Sequence, residues 1–137
     1  MSDLEPVVRH MLLCDDVQHD PSGPRKVNVF GLTNTIRSHA SPPFPFYQPQ
    51  LTIYLALTGG RGTGDVVIAG VQGDSDSLVF ATPPYTISFG SNPLAVRGMI
   101  IRVQNCPFPD PGLYWIEFRY NGRTLARQPL LVEGPRP

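Results

Sequence analysis

An excess of charge of either sign is missing from this chain: 11 Lys plus Arg stand against 11 Asp plus Glu in 137 residues. A nucleic-acid module normally carries a basic excess gathered on one face, so no nucleic-acid partner is expected. Missing too is any apolar run of about eighteen residues, the length a membrane-spanning helix needs; no membrane partner is expected. The opening "MSDLEPVVRHMLL" has acidic residues where a secretion signal has basic ones, and Arg9 and His10 interrupt its apolar run. The expected location is cytoplasmic. Cysteine is scarce, with Cys14 and Cys106 alone, and two thiols in an unsecreted chain are expected to be free and buried. The paired Cys or His that announce zinc sites do not occur, no G-x-S-x-G marks a serine nucleophile, and three isolated histidines suggest no triad. No cofactor, no metal site and no catalytic residue is expected; the chain reads as a non-enzyme.

Proline and glycine are plentiful, at 16 and 13 residues. They fall between apolar runs without a repeat and punctuate short elements. Residues 51–58, "LTIYLALT", alternate with the period of a half-buried strand: Leu51, Ile53, Leu55 and Leu57 one way, Thr52, Tyr54, Ala56 and Thr58 the other. Similar runs are "VVRHMLLC", "KVNVFGL", "DVVIAGVQ", "SLVFA", "VRGMIIRV", "YWIEFRY" and "LARQPLLV", divided by turn-forming segments. No window keeps helical spacing over ten positions without Gly or Pro, so little helix is expected. The length suits one domain. The expected fold is all-β: a single sandwich of about eight strands over residues 1–137, with frayed termini at 1–6 and 133–137.

The C-terminal third is the most informative. Asn121-Gly122 separates two alternating runs, and that pair suits a two-residue hairpin turn because both positions need positive φ. Just upstream, "DPGLY", Asp110 to Tyr114, resembles the Asp-x-Gly-x-Tyr corner of immunoglobulin-like domains, in which the Tyr hydroxyl bonds back to the corner backbone. Tyr114 takes the corner position. Ile116 stands where antibody domains place a disulfide cysteine, so the resemblance covers the architecture and not the disulfide. A second resemblance rests on "LLCDDV", "VFGL", "FPFYQPQL" and "PGLYWIEFRYNG": together these are similar to an uncharacterised family of small all-β bacterial proteins that open with a Leu-Cys-Asp-Asp-Val strand. The family's first hairpin has a tight Asn-Gly type turn, whereas this chain has the longer "HDPSGPRK". The resemblance implies a fold and no activity.

"HMLLCDDVQHD", His10 to Asp20, gathers metal-ligand side chains. On a strand, His10 and Cys14 are roughly 13 Å apart, too far to share one ion. Only Cys14 with Asp16, or His19 with Asp20, are close enough, and the one other histidine is His39. The expected structural role is that Leu12 and Cys14 pack inward while Asp15 and Asp16 accept backbone amides in the following turn. Two flanking carboxylates would raise the Cys14 pKa, against a nucleophile. A small-ligand or metal-binding sandwich using Cys14, Asp15 and Asp16 is the alternative to the leading function.

"GGRGTGD", Gly59 to Asp65, has the glycines of a phosphate loop without its Lys-Ser/Thr or helix, and is expected to link strands. "SPPFPFYQP" has polyproline character that would suit an aromatic groove, or simply carries the chain between sheets. The leading reading is a protein-interaction module. With Tyr114, Ile116 and Phe118 facing the core, Trp115, Glu117 and Arg119 turn outward; Gly98, Ile100 and Arg102 alternate likewise with Met99, Ile101 and Val103. Placed on one sheet, Trp115, Arg119, Ile100 and Arg102 make a protein-binding patch, since Trp and Arg dominate such sites. Loop cover, Arg stems or a bulge would remove it. The expected partner is another protein or a second copy of the chain.

Overall fold

The computed structural model describes residues 3–23 and 25–136. Among these, the eight alternating runs all form strands, and three more are added. The smaller sheet has the order β1-β5-β9, from β1 (Val7–Cys14), β5 (Phe46–Thr58) and β9 (Arg97–Phe108), paired antiparallel. The larger has the order β4-β11-β10-β6-β7, from β4 (Thr35–Arg37), β6 (Thr63–Gln72), β7 (Leu78–Ala81), β10 (Gly112–Tyr120) and β11 (Arg123–Glu133), with β8 (Tyr85–Ser88) also on β6. The remaining pair, β2 (Asp16–His19) and β3 (Val27–Phe30), forms a hairpin of its own. No described helix is long and apolar enough to cross a membrane.

The two sheets bury one continuous apolar cluster. Leu51, Ile53, Leu55 and Leu57 of β5 supply one face as the alternation predicts, with Met11, Leu13, Met99 and Ile101 beside them; Val66, Ile68, Tyr114, Ile116, Phe118, Leu130 and Val132 supply the other. Phe108 stacks edge-on against Tyr114, with ring centroids 4.9 Å apart. The Tyr114 hydroxyl donates to the Asp110 carbonyl at 2.6 Å and accepts the Asp110 amide at 3.2 Å. That bond pair fixes the corner at which the chain leaves β9 in one sheet and enters β10 in the other.

Asn121 and Gly122 make the expected two-residue turn, with φ of 51° and 82°, and Tyr120 faces Arg123 across it. Beyond the turn a bulge intervenes: Arg119 pairs with Thr124, but Phe118 pairs with Ala126, leaving Leu125 as the surplus residue. This turns Leu130 and Val132 into the core and Pro129 and Leu131 outward.

One expectation requires correction. In β1 the core residues are Met11 and Leu13, while Leu12 is only half-buried; Cys14 is fully buried but lies outside the main cluster. The β2–β3 hairpin folds back over the outer face of the smaller sheet, so Cys14, Val17 and Thr52 are all inaccessible there. The carboxylate that closes the turn is Asp20, which accepts Ser22 N at 2.8 Å and Ser22 Oγ at 2.6 Å. Residues 3–6 and 133–134 make contacts with the strands beside them. Leu4 bridges Arg61 through two backbone bonds, Pro6 is buried, Arg123 pairs with Glu5, and Arg37 binds both Glu133 and the Gly134 carbonyl.

The "SPPFPFYQP" segment carries the chain from β4 to β5, with Phe44 and Phe46 packed on the core. "GGRGTGD" links β5 to β6.

Candidate functional site

The four residues expected to form one patch lie on two sheets. Trp115 and Arg119 belong to β10 in the larger sheet; Ile100 and Arg102 belong to β9 in the smaller. Each pair does point away from the core, as the alternation requires, but β9 and β10 are joined across the Tyr114 corner, so their outer faces look in opposite directions. A single patch is therefore replaced by two surfaces.

The first surface is the outer face of the larger sheet. Trp115 is half-buried, and the Arg127 guanidinium carbon sits 4.0 Å from its ring centroid, a cation–π contact that covers part of the indole. Glu117, 9% exposed, accepts Arg119 Nε at 3.1 Å, Arg119 Nη2 at 2.8 Å and the Thr124 hydroxyl at 3.3 Å. Arg119 is thus committed to its own strand. Trp115 faces Pro129, and in the next outward row Leu113 faces Leu131, 43% and 37% exposed. Sequence reasoning missed Leu113, Pro129 and Leu131. Leu113 was available from alternation with Trp115, but the bulge at Leu125 moves Leu131 into place instead of Leu130, and nothing in the local sequence marks it.

The second surface is concave. Ile100 and Arg102 of β9, with Tyr54 of β5, form the floor of a cleft of about 540 Å³, walled by His19, Arg25 and Val27 of the β2–β3 hairpin. Arg102 fastens the hairpin to the sheet, donating from Nε to Asp16 Oδ1 at 2.9 Å and from Nη2 to the Val17 carbonyl at 2.7 Å. The bond from Arg102 holds the Asp16 carboxyl below its ordinary pKa.

Cys14, Asp15 and Asp16 do not converge. The Cys14 thiol points to the Thr52 carbonyl, 3.5 Å from Sγ, and burial, then Asp15 and Asp16, push its pKa up. The Asp15 carbonyl accepts Thr52 Oγ1 at 2.9 Å, and Asp16 is held by Arg102. Among the described residues no three His, Cys, Asp or Glu side chains are placed to hold a metal ion. Cys106 is likewise free and buried, its pKa pushed up to about 12 by burial. The histidines stay apart: His10 is on β1, His19 ends β2 and His39 follows β4.

The model of DUF6941, a family of unknown function, matches residues 9–133, which takes in every strand from β2 to β11 and most of β1. The chain belongs to this family. No curated protein matches it. The DUF6941 match spans the Cys-Asp-Asp strand, the hairpin over it, the Tyr114 corner and both outer surfaces, so the cleft and the Trp115 face alike lie within the family's extent.

Proposed function

We propose that this DUF6941 chain is a cytoplasmic, bacterial, non-enzymatic interaction module of immunoglobulin-like architecture, and that it binds a protein partner through the outer face of the larger sheet. The observation that carries the reading is the register of β10 against β11, which sets Trp115 beside Pro129 and Leu113 beside Leu131 in adjoining outward rows. Charged side chains border these apolar residues: Arg127 over the indole and the Glu117–Arg119 pair further along the strand. An aromatic and aliphatic centre with a charged rim is the anatomy of a protein interface. The corner hydroxyl of Tyr114 supports the immunoglobulin-like assignment, since its bonds to Asp110 are those such a corner makes. The runner-up, a ligand site made from Cys14, Asp15 and Asp16, has the geometry against it, because the thiol is sealed under the hairpin.

The test is affinity capture with wild type, Trp115→Ala and Leu131→Glu side by side, with circular dichroism to establish that each is folded. Loss of the captured partner in both variants is expected. A central hot-spot residue contributes about 2 kcal/mol or more, roughly a thirtyfold weakening. Equal capture by all three proteins would refute the assignment of the face. Sedimentation of the wild type as a dimer that Leu131→Glu dissociates would identify the partner as a second copy.

A further inference from the structure

The cleft on the opposite side of the molecule sets positively charged side chains around a concave apolar floor. Two guanidiniums, Arg25 and Arg102, and the His19 imidazole border it, whereas the nearest paired carboxylate, Asp16, is already occupied by Arg102. Arg102 spends Nε and Nη2 on the hairpin, and its Nη1 has no partner among the described residues. Arg25 is exposed and makes no ion pair or hydrogen bond with any described residue. Arg102 thus keeps a donor free although its charge is balanced by Asp16, and the Arg25 guanidinium adds a positive charge with no paired carboxylate among the described residues.

Between these groups the surface is apolar and aromatic: Val27 on the hairpin, Ile100 on β9 and the ring of Tyr54 on β5. Tyr54 and Ile100 face each other across the β5–β9 ladder. Gly98, the neighbour of Ile100 on the same face, leaves the space beside Tyr54 open; a Cβ there would come 3.4 Å from the Tyr54 hydroxyl. A volume of about 540 Å³ is within the range that holds a small organic molecule. A guanidinium with free N–H groups binds carboxylate and phosphate oxygens through charge-assisted bonds.

We propose that this cleft is a binding site for a small amphipathic anion, a carboxylate or phosphate carried on an apolar body, with Arg25 and Arg102 taking the head group and Val27, Ile100 and Tyr54 the body. The site is separate from the protein-binding face, and it uses neither Cys14 nor a metal.

The experiment is a titration of the full chain followed by amide chemical shifts, with octanoate, octyl phosphate, octylammonium and inorganic phosphate as probes. Saturable shifts at His19, Val27, Ile100 and Arg102, with a Kd of about 1 mM or tighter for one or both octyl anions, are the expected result; which anion binds more tightly identifies the head group. Octylammonium should bind at least about tenfold more weakly, as loss of one charge-assisted contact implies. Arg25→Glu, at an exposed residue without partners among the described residues, should weaken the anions by about tenfold or more and leave the fold intact, and Trp115→Ala should not change them. Ile100→Trp should block the site if that variant folds. The proposal is overturned if octylammonium binds as well as the anions, if inorganic phosphate binds as tightly as octyl phosphate, if the shifts map to Leu113 and Leu131, or if Arg25→Glu leaves the affinity unchanged. Absence of saturable binding by both octyl anions at millimolar concentration overturns it equally.

Discussion

Tyr114 and Tyr120 lie six residues apart on β10, both fully buried with rings in the core, and removing their hydroxyls should have opposite consequences. Tyr114→Phe deletes a donor 2.6 Å from the Asp110 carbonyl and an acceptor 3.2 Å from the Asp110 amide. Each such bond is worth about 1 kcal/mol net; since Asp110 is exposed and water can partly replace the lost partner, the expected loss is about 1 to 2 kcal/mol. Tyr120 differs: its hydroxyl is buried with no hydrogen-bond partner among the described residues. Replacing it by Phe removes a polar group whose desolvation is uncompensated, so Tyr120→Phe should be neutral or stabilising by up to about 1 kcal/mol. At about 2.1 cal/mol/K per residue, the unfolding entropy of 137 residues is about 0.29 kcal/mol/K, and 1.5 kcal/mol corresponds to about 5 °C in Tm. Calorimetry and urea unfolding of the two variants beside wild type make the comparison. A Tyr120→Phe loss as large as that of Tyr114→Phe would refute the reasoning, as would a Tyr114→Phe protein with unchanged Tm.

Three further outcomes follow from the geometry. Asp16 titrates in the folded protein below its ordinary 3.8 because Arg102 bonds to it, so the Asp16–Arg102 contribution is present above that value and is lost as pH falls through the lower, folded one. In Arg102→Gln the Asp16 midpoint read by NMR should move back up toward 3.8, and an unmoved midpoint would show that Arg102 is not the cause. Both thiols are inaccessible, and that of Cys106 is pushed up to about 12, so Ellman's reagent at pH 8 should label neither until denaturant is added; prompt labelling of the native protein would contradict their burial. Gly64→Ala would place a Cβ 2.0 Å from Tyr120 Cζ, an overpacking expected to cost about 1 to 3 kcal/mol and readable as a lower urea midpoint with unchanged slope.

Much of the architecture was legible because alternation is a local property. Strands β5, β9 and β10 show their inward and outward sets over residues 51–57, 99–103 and 113–120 where the period of two places them, and Asn121-Gly122 and the Tyr114 corner follow from backbone chemistry within five residues. Strands β2, β4 and β8, of three or four residues each, are too short for a period to show. Strand β2 was further disguised by aspartates at both ends, which read as turn residues. Sheet membership is a long-range property: nothing near Ile100 or Trp115 says that the chain changes sheets between them. The cleft was invisible for the same reason, since Arg25 and Arg102 are brought together by the hairpin folding back over the sheet.

That fold-back divides the molecule energetically. Cys14, Val17 and Thr52 are fully buried but stand apart from the cluster between the sheets, so the chain has a large hydrophobic compartment and a small one with the smaller sheet as the wall between them. Opening the small compartment requires unlatching Arg102 and lifting one hairpin, while every contact between the sheets stays in place. A cooperative unit of that kind opens at a lower free energy than the whole domain. Two opening free energies are therefore expected, the smaller belonging to the hairpin, and anything that fills the space beneath it should act on that one first.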